Sequence, residues 1–88
     1  MNSEARLREQ ARAHLQSGKL PNEAPRRVWG GPGVGTECGV CDLAVRPDQS
    51  EVEVQFFRDH GAEVFEVLHF HIVCFAAWAL ETTRADSD

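Results

Sequence analysis

The chain has 88 residues, enough for one domain, and a domain of this size is marginal on side-chain burial alone unless a metal, a disulfide or a partner chain assists it. Its 42% hydrophobic and 26% charged residues are ordinary for a globular protein, and no run approaches the roughly 18 apolar residues of a membrane span, so no membrane partner is expected. The net charge of −5 is unevenly spread: residues 1–30 carry +3 and residues 31–88 carry −8, so the larger part repels a phosphate backbone and is disfavoured as a nucleic-acid ligand surface.

The N-terminal stretch lacks an apolar segment followed by small residues, so no secretory leader is expected. The three cysteines, Cys38, Cys41 and Cys74, are an odd number, which argues against a disulfide framework and for a reducing, cytoplasmic setting.

Residues 3–17, SEARLREQARAHLQS, predict an amphipathic helix, and the N-terminal unit is taken as 1–20. Ser3 is placed to cap it and Glu4 to face the positive end of its dipole. Leu7, Ala11 and Leu15 form a narrow apolar stripe, so the helix should dock lightly or swing free. Glu4 with Arg8 and Glu9 with Arg12 fall at pairing distances along it. Gly18 suits a left-handed end, and Pro21 prevents continuation.

Residues 21–36 are rich in Gly and Pro and read as a linker. Gly31, Gly33 and Gly35 do not form a phosphate-binding turn, because the spacing is wrong and no Lys-Ser/Thr pair follows. Trp29, a large aromatic inside this stretch, is expected to fold back onto the domain.

Residues 37–84 hold the compact unit, with 85–88 as a polar tail. EVEVQFF (51–57) alternates, with Val52, Val54 and Phe56 on one face and Glu51, Glu53 and Gln55 on the other: a half-buried strand. RDHGA turns the chain, with Gly61 taking the awkward dihedral, and EVFEVLHF (63–70) returns as the second strand of an antiparallel hairpin. From Ile72 to about Thr83 a helix is expected, with Val73, Ala76, Ala77 and Leu80 along one side and Phe75 and Trp78 adjacent. The fold class is α+β: N-terminal helix, glycine-rich linker, knuckle, hairpin, C-terminal helix.

The chemistry lies in CGVC (38–41) and HIVC (71–74). Cys38 and Cys41 are spaced so that both sulfurs face one point in a tight turn. His71 and Cys74 are three apart, which puts them on one face of a first helical turn. Three thiolates and one imidazole form a closed tetrahedral set for Zn²⁺, and soft sulfur favours Zn²⁺ over Mg²⁺ or Ca²⁺. A helix N-terminus adds to this by favouring the thiolate. Two readings compete: the cysteines as small buried hydrophobes, which leaves their ligand spacing unexplained, and Cys38/Cys41 as a redox dithiol, which lacks its strand–helix setting. His69 is a substitute ligand, a supporting partner of a ligand or an exposed strand residue; His14 and His60 read as bystanders. A closed set leaves no open position for a substrate, and neither the H-x-E nor the P-C-x-x-C of zinc deaminases is present, so no enzymatic activity is expected.

With CGVC followed by a hairpin and then FHIVCF (70–75), the sequence resembles treble-clef zinc fingers, most closely the first finger of LIM domains, over about residues 36–84. The flanking Phe70 and Phe75 match as well. The gap from Cys41 to His71 is longer than in LIM fingers and no second set of four ligands follows, so the resemblance is to a single LIM-like finger. The layout is also similar to small uncharacterised bacterial proteins with a basic N-terminal helix, WGGPG and a terminal HxHxxCFAAW, which implies no particular activity. The first reading is a structural-zinc interaction module, in which the metal ties knuckle to helix in place of the core a domain this small lacks, and the surface binds a protein partner or a second copy. The alternatives are nucleic-acid binding through the basic arm (Arg6, Arg8, Arg12, Lys19, Arg26 and Arg27) and a redox or metal-handling role.

Overall fold

A computed structural model describes residues 4–23, 25–59 and 64–86. The expectations for Ser3, His60 and Gly61 and for the last two residues of the tail lie outside them. Two helices and three strands follow one another as α1 (Glu4–Ser17), β1 (Arg27–Pro32), β2 (Ser50–Asp59), β3 (Val64–His71) and α2 (Ile72–Asp86). The α+β class therefore stands. Among the described residues no helix is long and apolar enough to cross a membrane.

The sheet is antiparallel throughout, in the order β1-β2-β3. The β2–β3 hairpin has the expected alternation, and its register opposes Val54 to Leu68, Val52 to Phe70 and Glu53 to His69. Opposed residues share a face, so Val54, Phe56 and Phe70 point into the core while Glu51, Glu53, His69 and His71 share the other side. The stretch read as a linker contains a strand: β1 pairs along β2 from Arg27↔Gln55 to Pro32↔Ser50. Glycine and proline depress strand propensity, but β2 offers an unpaired edge, and an edge position tolerates both. Trp29 lies on this edge strand and is 42% exposed, so it does not fold back onto the core.

Helix α2 packs across the apolar side of the sheet. Trp78 sits at the centre, edge-on to Phe56 at 5.5 Å between ring centres and stacked on Phe70 at 5.7 Å, with Phe75 tilted against it. Its indole N–H donates to Pro21 O at 3.1 Å, so the buried ring keeps no unpaired donor. The buried stripe of α2 is Cys74, Ala77, Trp78 and Glu81; of the residues expected along one side, Ala77 is buried and Val73, Ala76 and Leu80 face outward. Cys74 turns toward the knuckle, and the helical period carries 77, 78 and 81 to the same inward side.

Helix α1 docks on α2 through Leu7 and Ala11, both buried. Arg8 and Arg12, which the sequence places opposite Glu4 and Glu9, donate to the two oxygens of Glu81 at 2.9 and 3.0 Å. Glu81 is buried, and the Arg12 hydrogen bond, ahead of that from Arg8, holds its carboxyl below the usual carboxylate range against the cost of burial. Gly18 closes α1 with φ +83°, a conformation in which a side chain would be strained. Leu20 then turns into the core, its N–H bonded to His14 O.

Candidate metal centre

CGVC forms a tight turn at the tip of a small bridged loop. Glu37 bridges Ala44, Cys38 N–H donates to Leu43 O at 2.8 Å, and Asp42 N–H donates back to Cys38 O at 3.0 Å. The chain leaves the turn through Asp42, whose φ of 66° is left-handed; aspartate is among the few non-glycine residues that tolerate this. Val40 N–H points at Cys38 Sγ, 3.5 Å away. The turn is fastened to the edge of β3 by the Cys38–His69 bridge and by Gly39 N–H donating to His69 O at 2.9 Å. Gly39 lies so close to Phe70 and Leu20 that an added Cβ would stand 3.1 and 3.2 Å from their side-chain carbons. From the other side His14 Nε2–H donates to Val40 O at 3.1 Å, and Lys19 pairs with Asp42. His14 is thus a brace for the turn rather than a bystander.

His71 is the last residue of β3, one position before the expected helix start, and Cys74 lies in the first turn of α2. The strand end directs His71 toward the turn: its Nδ1 is 3.4 Å from Cys41 Sγ and 3.9 Å from Cys74 Sγ. One ligand atom from each of Cys38, Cys41, His71 and Cys74 lies within 4.8 Å of all the others, so the cluster could hold a metal ion. A tetrahedral zinc with bonds of about 2.3 Å to sulfur sets its sulfurs roughly 3.8 Å apart, and the cluster has that scale. Cys38 and Cys74 are buried, Cys41 and His71 half-buried, and all three cysteines are free thiols.

The sulfurs are crowded enough to govern one another's charge. The Cys38 thiol is lowered to about 4, first by the hydrogen bond from Cys74 and then by backbone N–H groups of the turn, against the cost of burial. Cys74 is pushed up because it donates to that thiolate, because it is buried, and because neighbouring sulfur charge opposes its ionisation. Burial raises Cys41 as well, and the charge on Cys38 adds to it. One sulfur holds a negative charge readily, and two more charges need a cation among them.

The structure separates His69 from this group. Its Nδ1 faces Glu51 Oε2 at 2.8 Å, with Glu53 Oε1 at 4.0 Å, and these three residues form a second set whose ligand atoms lie within 4.8 Å of one another. Sequence reasoning gave Glu51 no role beyond the polar face of its strand, yet Glu51 is only 2% exposed. The pairing of β2 with β3 carries the only signal for it, since that register sets Glu51 opposite His71 and diagonal to His69. Glu81 was missed because nothing in a local window shows that two arginines on another helix will reach it.

No family model, no curated protein and no solved structure matches the chain.

Proposed function

We propose that Cys38, Cys41, His71 and Cys74 ligate one structural Zn²⁺, and that the domain so formed is a LIM-like single treble-clef finger serving as a protein-interaction module. The observation that carries the reading is the convergence of four ligand atoms within 4.8 Å from two segments some thirty residues apart in sequence. Such convergence is costly in chain entropy and brings crowded thiols together, and a dication offsets both costs. The order of turn, hairpin and helix supports the treble-clef reading, and the free thiols support a reducing, cytoplasmic setting. Four protein ligands fill a tetrahedral ion, so the metal acts as a tie and not as a reaction centre.

The interaction surface lies along the outer side of α2. Val73 and Leu80 are 63% and 46% exposed there, beside a groove of about 330 Å³ that Leu7 and Ala76 also line. A protein partner or a second copy of the chain would cover it. The nucleic-acid alternative is weakened by the engagement of Arg8 and Arg12 with Glu81 and of Lys19 with Asp42, which leaves the arm less free charge than its composition suggests.

Native mass spectrometry of the purified chain, followed by far-UV circular dichroism with and without a strong chelator, tests the reading. One zinc per chain and loss of structure on chelation are expected. A folded chain with no stoichiometric metal overturns it, and a salt-dependent affinity for DNA or RNA that vanishes with residues 1–27 would favour the alternative.

A further inference from the structure

We propose that Glu51, Glu53 and His69 form a second metal site, distinct from the cysteine cluster, that binds a divalent first-row cation such as Mn²⁺ through two carboxylates and one imidazole and leaves its remaining positions open.

Three observations carry it. The first is convergence: one ligand atom from each residue lies within 4.8 Å of the others, on the side of the sheet away from the aromatic core. Two successive outward positions of β2 supply the carboxylates, and the strand opposite supplies the imidazole, so the set is held by sheet register and not by a loop. The second is spacing. Bonds of about 2.1 Å place adjacent ligand atoms of an octahedral ion roughly 3 Å apart and opposite ones roughly 4.2 Å apart. His69 Nδ1 stands 2.8 Å from Glu51 Oε2 and 4.0 Å from Glu53 Oε1.

The third observation is independent of the clustering. Glu51 is 2% exposed, and its Oε1 has no hydrogen-bond partner among the described residues. A buried carboxylate oxygen left without a donor is costly, and most buried polar atoms are satisfied. His69 serves the other oxygen only. A cation held by both oxygens of Glu51 would meet the unpaired one, take the place of the proton that His69 Nδ1 shares with the other, and relieve the repulsion between Glu51 and Glu53, which lie side by side on one strand face.

The ligand types set the class of ion. Carboxylate with imidazole suits Mn²⁺, Fe²⁺ or Zn²⁺, while the cysteine cluster, rich in thiolate, is a poor site for Mn²⁺. The two sites therefore sort different ions, and three protein ligands leave room for water or for an anionic group of a ligand. The inference does not depend on zinc at the cysteines, and Mn²⁺ reads the two sites separately.

The test uses the full chain as purified with its zinc. Mn²⁺ is titrated in while the free ion is followed by its six-line electron paramagnetic resonance signal, and zinc content is read by mass spectrometry on the same samples. One Mn²⁺ per chain is expected, with zinc unchanged. Glu53→Gln, at a partly exposed position outside the core, should weaken Mn²⁺ binding at least tenfold without loss of zinc, and His69→Gln should do the same. Failure to bind Mn²⁺ stoichiometrically overturns the site, and so does undiminished binding in both variants, which would mark a diffuse attraction to acidic surface. If the wild type takes up no Mn²⁺ and Glu51→Gln instead releases zinc, the carboxylate supports the cysteine site and the proposal falls. A chain that lacks zinc yet binds one Mn²⁺ lost by Glu53→Gln upholds this site while the reading of the cysteine cluster fails.

Discussion

Replacing Glu81 by Gln keeps the shape of the side chain and removes its charge, so it isolates the tie between α1 and α2. Glu81 accepts from Arg8 at 2.9 Å and from Arg12 at 3.0 Å, and its own side chain is 3% exposed. Hydrogen bonds to charged groups contribute about 1.5–3 kcal/mol each when shielded from water. The arginine side chains are 29% and 48% exposed, however, so solvent screens them and they recover hydration when released. About 1 kcal/mol for each, or about 2 kcal/mol together, is the expected loss at pH 7, which in a domain of this length lowers Tm by roughly 10 °C. The assay is urea and thermal unfolding of both proteins at matched zinc content, from pH 7 downward. The arginines hold Glu81 below the usual carboxylate range in the folded state, so its contribution is fully present above the unfolded value near 4.5 and fades as pH falls through the lower, folded one. The gap between wild type and Glu81→Gln should stay level from pH 7 to about 5 and close only at more acid pH. An absent gap at pH 7, or one that persists unchanged to pH 2, would refute the account.

The proposed zinc site makes a sharper demand. Cys74→Ser and Cys38→Ser should each abolish stoichiometric zinc binding by mass spectrometry and leave a chain without cooperative unfolding, since one missing ligand opens a closed site. Trp78→Ala should cost about 3–5 kcal/mol in urea unfolding, because the ring is buried among Phe56, Phe70 and Phe75 and its removal leaves a cavity. Trp29→Ala, on an exposed edge strand, should cost less than about 1 kcal/mol; a larger loss would mean the ring is covered in solution. Gly33→Ala should destabilise by about 1–3 kcal/mol, because a Cβ there would stand 2.2 Å from Arg46 O, and backbone must shift to admit it.

The parts of the fold that came readily from sequence are those with a strong local period. The alternation in 51–57 shows which side of β2 is buried, and the cap at Gly18 marks the end of α1. The candidate quartet was legible because spacing within each pair is local, and only its convergence needed the fold. β1 was not legible: RVWGGP carries two glycines and a proline, and its pairing is a tertiary event supplied by the free edge of β2. The inward face of α2 was not legible either, for a different reason. Hydrophobicity alone favours Val73 and Leu80 for burial, and Glu81 against it, but α2 is oriented by Cys74. The burial of Glu51 was likewise invisible, because alternation assigns it to the polar side of the strand and says nothing of what covers that side.

The orientation of α2 links the candidate site to the rest of the molecule. Cys74 faces the knuckle, and a helix with 3.6 residues per turn then has no freedom over residues 77, 78 and 81. Trp78 is carried onto Phe56 and Phe70, and Glu81 is carried to the seam where Arg8 and Arg12 of α1 meet it. The same rotation turns Val73 and Leu80 outward along the groove that Leu7 helps to line. A change at the cysteine cluster that lets α2 turn by even one position would therefore withdraw Trp78 from the core and Glu81 from its arginines together, and would bury part of the apolar surface on which the proposed partner depends. The sulfur of one residue thereby couples the candidate metal centre, the docking of α1 and the exposed face of α2, through the geometry of a single helix.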